Sequence, residues 1–189
     1  MTALRMHGGC VGSAIQKNTD RDGDLMDEKR LQLALYNELI SRQVLAVVPN
    51  LSWAYLYNEA DLVSISRSFY LSEFEIKTST ADFKNEFLNK DRKYYRMRWG
   101  ETAGTPNYFS YFAPEYCYPL CVPDFAGIYI AEYNRFNNIC VVEVRKPKLI
   151  HKKKLSKSET IKIIRTLMFK YFSLAKSVDN RKRQSLFKN

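Results

Sequence analysis

Three charged residues stand at alternate positions in the segment LSEFEIK (71–77): Glu73, Glu75 and Lys77. Successive side chains of a β-strand point to opposite faces, so these three share one face while Phe74 and Ile76 share the other. Upstream, ADLVSISR (60–67) reads as the partner strand of a hairpin, with Ser68 to Tyr70 at the turn. A turn near Phe69 pairs residues whose numbers add to about 138, which places Asp61 across from Lys77 and diagonal to Glu75 on the same face. A one-residue slip in register would send Asp61 to the other face and destroy the cluster.

The chemistry that Asp61, Glu75 and Lys77 suit is phosphodiester hydrolysis. Two carboxylates supply hard oxygen ligands for Mg²⁺ (or Mn²⁺), an ion that keeps several waters and takes only one or two protein carboxylates beside substrate phosphate. Such a metal lowers the pKa of a bound water and stabilises charge on a phosphorane-like transition state, and Lys77 can orient that water or stabilise the same charge. No histidine is needed. That matters here, because the chain has 2 histidines, His7 near its start and His151 in a basic run, which disfavours catalysis on a histidine base. The same alternation also fits the solvated outer face of an amphipathic strand, so at this level both readings stand.

The elements that must hold the cluster follow from periodicity. Residues 27 to 42 (DEKRLQLALYNELISR) combine good helix formers with apolar side chains at 31, 34, 35 and 39. In projection Glu38 lies about 20° from Leu31, between Ala34 and Leu35. A carboxylate aimed at a core is costly unless it is paired or near a cation, whereas one at the edge of the stripe is not. VLAVVP (44–49) is a strand candidate. After the hairpin, Ser79, Thr80 or Asp82 can cap a helix running to about Trp99, with Phe83, Phe87, Leu88, Tyr94 and Tyr95 inward and Lys84, Arg92, Lys93 and Arg96 on its surface. YFSYFA (108–113), GIYIA (127–131) and NICVVEV (138–144) read as further strands. Ser156 and Glu159 have the spacing of a capping box, opening a helix with an apolar face at Ile161, Ile164, Leu167, Met168, Tyr171, Phe172 and Ala175. Strands mixed with helices predict an α/β or α+β sandwich around a mixed sheet.

Composition bounds the rest. The chain has 189 residues, 46% of them apolar and 14% aromatic, enough for one sizeable core and too many for disorder throughout. Its longest uncharged stretch, Gln43 to Asn58, is 16 residues and contains Pro49, which is too short and too broken for a membrane-spanning helix. Residues 1–25 have no continuous apolar stretch of the kind a secretory signal carries. They are expected to be a flexible extension of a cytoplasmic protein, followed by one domain over 26–176 and a basic tail over 177–189. The net charge is +10, and from Arg145 onward 15 basic residues face only Glu159 and Asp179. A run such as RKPKLIHKKKLSK, with Lys152, Lys153 and Lys154, suits phosphate binding as well as it suits a solvated tail; attraction to a membrane surface is a weaker third reading. The cysteines at 10, 117, 121 and 140 match no common zinc spacing, and they are expected to be free thiols, with Cys140 a small hydrophobe in its strand.

Taken in order, a helix with Glu38, then ADLVSIS, then EFEIKTS, then a helix beginning ADFKNEF resembles the PD-(D/E)XK nuclease superfamily. Within it the chain is similar to small phage and bacterial nucleases of the MmcB-like and VRR-NUC type. PNYFSYFAPE, PDFAGIYI and VVEVRKPKLIHKKKL extend the resemblance in the same order, over about residues 27 to 175. The resemblance implies an α/β fold with a restriction-endonuclease-like αβββαβ core and a Mg²⁺-dependent nuclease, most readily of DNA, acting in the cytoplasm of a bacterium or of a phage-infected host. It implies Asp61 and Glu75 as metal ligands with the Ile76 carbonyl as a third, Lys77 as the family's lysine, and Glu38 as the first-helix glutamate near the metal shell. Lys84, Arg92 and Lys93, with Lys152, Lys153 and Lys154, would contact nucleic acid. Ala60 stands where the family has its proline, and Glu73 is an additional acid on the active face. Two rivals from other classes are a non-catalytic nucleic-acid-binding protein on the same fold and a phage-type inhibitor that binds a protein.

Overall fold

The computed structural model describes residues 26–51, 56, 58–89, 91–117 and 122–186. Its first element, helix α1 (Glu28–Ser41), starts at Asp27, whose carboxylate accepts the Arg30 amide at 2.7 Å, and it buries Leu31, Leu35 and Leu39. Strands β1 (Ala46–Leu51), β2 (Ala60–Ile65) and β3 (Leu71–Ile76) form an antiparallel meander. A helical crossover, α2 (Thr80–Asn89) and α3 (Asp91–Arg98), returns the chain to β4 (Tyr108–Pro114), which runs parallel to β3. After a single 3-10 turn at Glu115–Cys117, β5 (Gly127–Tyr133) pairs parallel to β4, and β6 (Ile139–Arg145) closes the far edge antiparallel to β5. The long helix α4 (Lys157–Leu186) follows. The protein is therefore an α/β structure with one six-stranded mixed sheet in the order β1-β2-β3-β4-β5-β6, flanked by helices.

Each face of the sheet has its own core. Phe74 and Ile76 of β3 pack with Leu62, Phe112 and Tyr129 beneath Leu31, Leu35 and Leu39 of α1. The opposite face carries two clusters. One gathers Phe109 and Tyr111 of β4 with Phe83 of α2 and Tyr94 and Met97 of α3; the other gathers Val48, Val63, Ile65 and Leu71 with Ile163 of α4. Glu73 of β3 faces Val63 on one side and Phe109 on the other, so the charged stripe of β3 runs along the seam between these two clusters.

Several expectations change. The crossover is helical on both sides of residue 90, over Thr80–Asn89 and Asp91–Arg98, but Tyr95 faces solvent while Lys93 is buried. Phe87 and Leu88 lie outside the residues whose side chains are described, as do Cys10, Cys121 and the extension 1–25. Cys117 is a buried free thiol, and burial is the main reason its pKa is pushed up to about 11; Cys140 is exposed, on the face of β6 opposite the one that Ile139 and Val141 turn toward the α1 core. In α4 the capping box forms, with the Ser156 amide donating to Glu159 and the Glu159 amide to Ser156 Oγ, but the inward residues are Thr160 and Ile163, not Ile161. Helix α4 continues through position 177 to Leu186. No helix among the described residues is long and apolar enough to cross a membrane.

The basic run ahead of α4 is a strap and not a tail. Amides of Lys148, Ile150 and Leu155 donate to the carbonyls of Phe125, Asn107 and Phe69. Buried Asn107 is the hub: its Oδ1 accepts the Leu71 amide, and its Nδ2 donates to the carbonyls of His151 and Lys153. This ties the start of β3 to the strap, holds Lys152, Lys153 and Lys154 at the surface, and engages His151 structurally.

Candidate active site

Residues in β2 and β3 pair with numbers that add to 136, as in Leu62 with Phe74 and Val63 with Glu73. That register differs by two from the expected one, because the tight turn is centred one residue earlier; Ser66 and Tyr70 bracket it, with Phe69 at φ 65°. A shift of two preserves the face. It brings Asp61 opposite Glu75 instead of opposite Lys77, and the Asp61 carboxylate accepts the Ile76 amide at 2.7 Å. Asp61, Glu75 and Lys77 thus meet at the C-terminal end of β3.

Glu75 is buried between two ammonium groups. Lys77 Nζ lies 3.0 Å from Oε1, and Lys93 Nζ, from α3, lies 2.9 Å from Oε2. Lys93 also pairs with buried Glu73 at 2.5 Å and sits 4.9 Å from the centre of the Phe109 ring. Lys77 has a second acid, Asp82 at the start of α2, at 3.8 Å. Burial by itself would lower the Lys93 pKa, but the carboxylates of Glu73 and Glu75 raise it well above its usual value, so the buried lysine is charged.

Asp61 behaves in the opposite way. Burial, and then the negative charge of Glu75, push its pKa up to about 7, against the pull of the Ile76 amide and Lys77. Among the described residues the cluster gathers the carboxylates of Asp61, Glu73, Glu75 and Asp82 around the ammonium groups of Lys77 and Lys93. Among the described residues no three Asp, Glu, His or Cys side chains enclose an ion by themselves; the all-oxygen pair Asp61 and Glu75 matches the habit of Mg²⁺, which binds few carboxylates and keeps water.

The raised pKa has a measurable consequence for stability. The folded state holds the Asp61 proton more tightly than the unfolded chain does, so the stabilisation is present at acid pH and is lost as pH rises through about 7. Asp61→Asn, which keeps the acceptor for Ile76, is expected to raise the melting temperature relative to the wild type most at pH 8 and by clearly less at pH 5, since the unfolded carboxyl ionises from its usual 3.8 upward while the folded one stays protonated to about 7. Equal shifts at both pH values would show that Asp61 is ionised throughout.

Glu38 does not join this site. It pairs with Arg42 at 2.8 Å, and Arg42 reaches Glu143 of β6 at 3.0 Å, on the sheet face opposite the charged stripe. The α1 side chain that touches the Asp61 segment is Gln32, whose Nε2 donates to the Asp61 carbonyl at 2.7 Å. Glu28, one turn earlier, adds its negative charge at Asp61. Lys84 and Arg92 are exposed, whereas Lys93 is withdrawn into the cluster. The sequence signal for Lys93 is charge balance: three carboxylates on one buried face need more than Lys77.

No protein-family model matches the chain, and no curated protein matches it. Among solved structures the chain is similar to a protein of unknown function from Silicibacter pomeroyi, with a TM-score of 0.58 and 15% identity over 84% of this chain and 95% of that one. At that identity the likeness is one of fold.

Proposed function

We propose that the protein is a divalent-metal-dependent nuclease acting on DNA, with Asp61 and Glu75 as ligands of one Mg²⁺ or Mn²⁺ and Lys77 as the electrostatic group beside it. The observation that carries this reading is the convergence of these three side chains at one end of β3, where the Asp61 carboxylate accepts the Ile76 amide and feels the charges of Glu75 and Lys77. The Ile76 carbonyl, between Glu75 and Lys77 in the chain, is the third candidate ligand. The ion would polarise the scissile phosphate and acidify a bound water.

The chain's own residues do the rest. Asp61 must shed its proton to act as a ligand, so metal binding is expected to release a proton and to weaken as pH falls below about 7. Lys93 neutralises Glu73 and one oxygen of Glu75, so the buried stripe keeps its geometry without closing on itself. Lys77, with Asp82 as a second partner, can turn its ammonium from Glu75 toward developing charge on phosphate. The test is a cleavage assay on labelled single-stranded, duplex and branched DNA in Mg²⁺, Mn²⁺ or EDTA. Cutting that needs metal supports the reading, and no cutting of any substrate with either metal rejects it.

One observation favours a second reading, a nucleic-acid-binding protein without catalysis: both oxygens of Glu75 are already held by lysines, so a cation must compete with an ammonium there. Under either reading, the strap and the end of α4 supply affinity. Neutralising Lys152, Lys153 and Lys154 and deleting residues 177–189 is expected to weaken DNA binding and flatten its salt dependence, since each lost phosphate contact removes about 0.9 from the slope on duplex. An unchanged slope in a salt titration would show that DNA binds elsewhere.

A further inference from the structure

Helix α3 has two working faces. Its inner face delivers Lys93 to Glu75 and buries Tyr94 and Met97. Its outer face carries Arg92, Tyr95 and Trp99, spaced i, i+3 and i+7 and therefore in one row, with Arg96 half-buried beside them. Tyr95 is 62% exposed and Trp99 69% exposed, unusual for large aromatic side chains on a structured helix. Their ring centres are 6.0 Å apart with planes at 55°.

These rings line an open cleft of about 750 Å³ together with Arg92, Arg96 and Arg98; its one acidic residue is Glu101, 3.5 Å from Arg96. The rings are also held in place. The Gly100 amide donates to the Met97 carbonyl and the Glu101 amide to the Arg96 carbonyl, the paired bonds of a Schellman C-cap, with Gly100 at φ 66°. A Cβ at Gly100 would stand 3.1 Å from the Ile150 carbonyl oxygen, so the cap is locked against the strap and fixes Trp99 at the helix end.

We propose that this face of α3 is a stacking platform for the bases of an unpaired DNA strand, on the side of the helix away from the one that reaches Glu75. The inference rests on the nucleic-acid reading above and deepens it by naming the substrate class: DNA with a single-stranded stretch. An apolar protein surface would meet three guanidinium groups around the rings. An unpaired strand offers phosphates to the arginines and a π-face from every base to Tyr95 and Trp99, whereas a duplex hides those faces in its own stack.

Fluorescence anisotropy tests this with labelled oligo(dT) and a blunt duplex, both in EDTA so that nothing is cut. Tyr95→Ala and Trp99→Ala are each expected to weaken oligo(dT) binding by about tenfold or more, leaving duplex affinity within about twofold. Trp99→Tyr should restore most of the loss. Arg92→Ala should weaken both ligands and lower the single-strand salt slope by about 0.7. Circular dichroism on each variant confirms the fold. Wild-type affinity for oligo(dT) in both aromatic variants, or no oligo(dT) binding by the wild type, overturns the platform. If the wild type still cuts duplex with Mg²⁺ in that case, the nuclease reading survives. If nothing is cut but both variants lose oligo(dT), the platform stands and the nuclease reading falls.

Discussion

Glu75→Gln is expected to abolish metal-dependent cleavage while leaving DNA affinity equal or stronger. The substitution keeps the size of the side chain but removes the charge that a divalent ion needs and that pairs with both Lys77 and Lys93. With less negative charge near the scissile phosphate, DNA is repelled less. Lys77→Ala should behave differently: metal binding persists, and hydrolysis slows by about two to three orders of magnitude if the ammonium is a preorganised electrostatic group. Isothermal titration with Mn²⁺ and single-turnover cleavage separate the two. Tight Mn²⁺ binding by Glu75→Gln, or full activity of Lys77→Ala, would reject these roles.

The second large effect concerns folding. Lys93→Met removes the cation shared by Glu73 and Glu75, both buried. Breaking a buried ion pair from one side costs about 3–5 kcal/mol, because the charge left behind has lost its compensation. The stranded carboxylates escape by taking up protons, so the loss should be greatest near pH 8 and shrink as pH falls. Urea denaturation at pH 5 and pH 8 measures both values. Adding Glu73→Gln to Lys93→Met should recover part of the stability, since Glu75 keeps Lys77 and the charge of Glu73 is then gone. A loss under about 1 kcal/mol at pH 8 would mean that water or a cation already serves Glu73. The prediction holds whether or not the protein cuts DNA, so it tests the cluster independently of the function proposed for it.

Local patterns in the chain determined a good deal. Alternation in LSEFEIK and ADLVSIS set which residues of β2 and β3 share a face, and the face survived a two-residue error in register because the period of a strand is two. That is why Asp61, Glu75 and Lys77 could be grouped from sequence. The order of helices and strands, the Asp27 cap and the Ser156–Glu159 box were likewise local, since each depends on residues within a turn or two. Tertiary structure alone decided which residues from distant segments reach the site. A helical projection assigns Glu38 to the inward face of α1, but it collapses the position along the axis. The direction in which α1 crosses the sheet puts Glu28 and Gln32 near Asp61 and Glu38 near Glu143. Lys93 looks like a surface residue in a basic helix until α3 is laid over β3, where Glu73 and Glu75 compensate its burial and Tyr95 and Trp99 are left outside. The basic run 145–155 shows its charge in the sequence, but only the hydrogen bonds to Asn107, Phe69 and Phe125 make it a strap, because the partners lie dozens of residues away and no local preference encodes them.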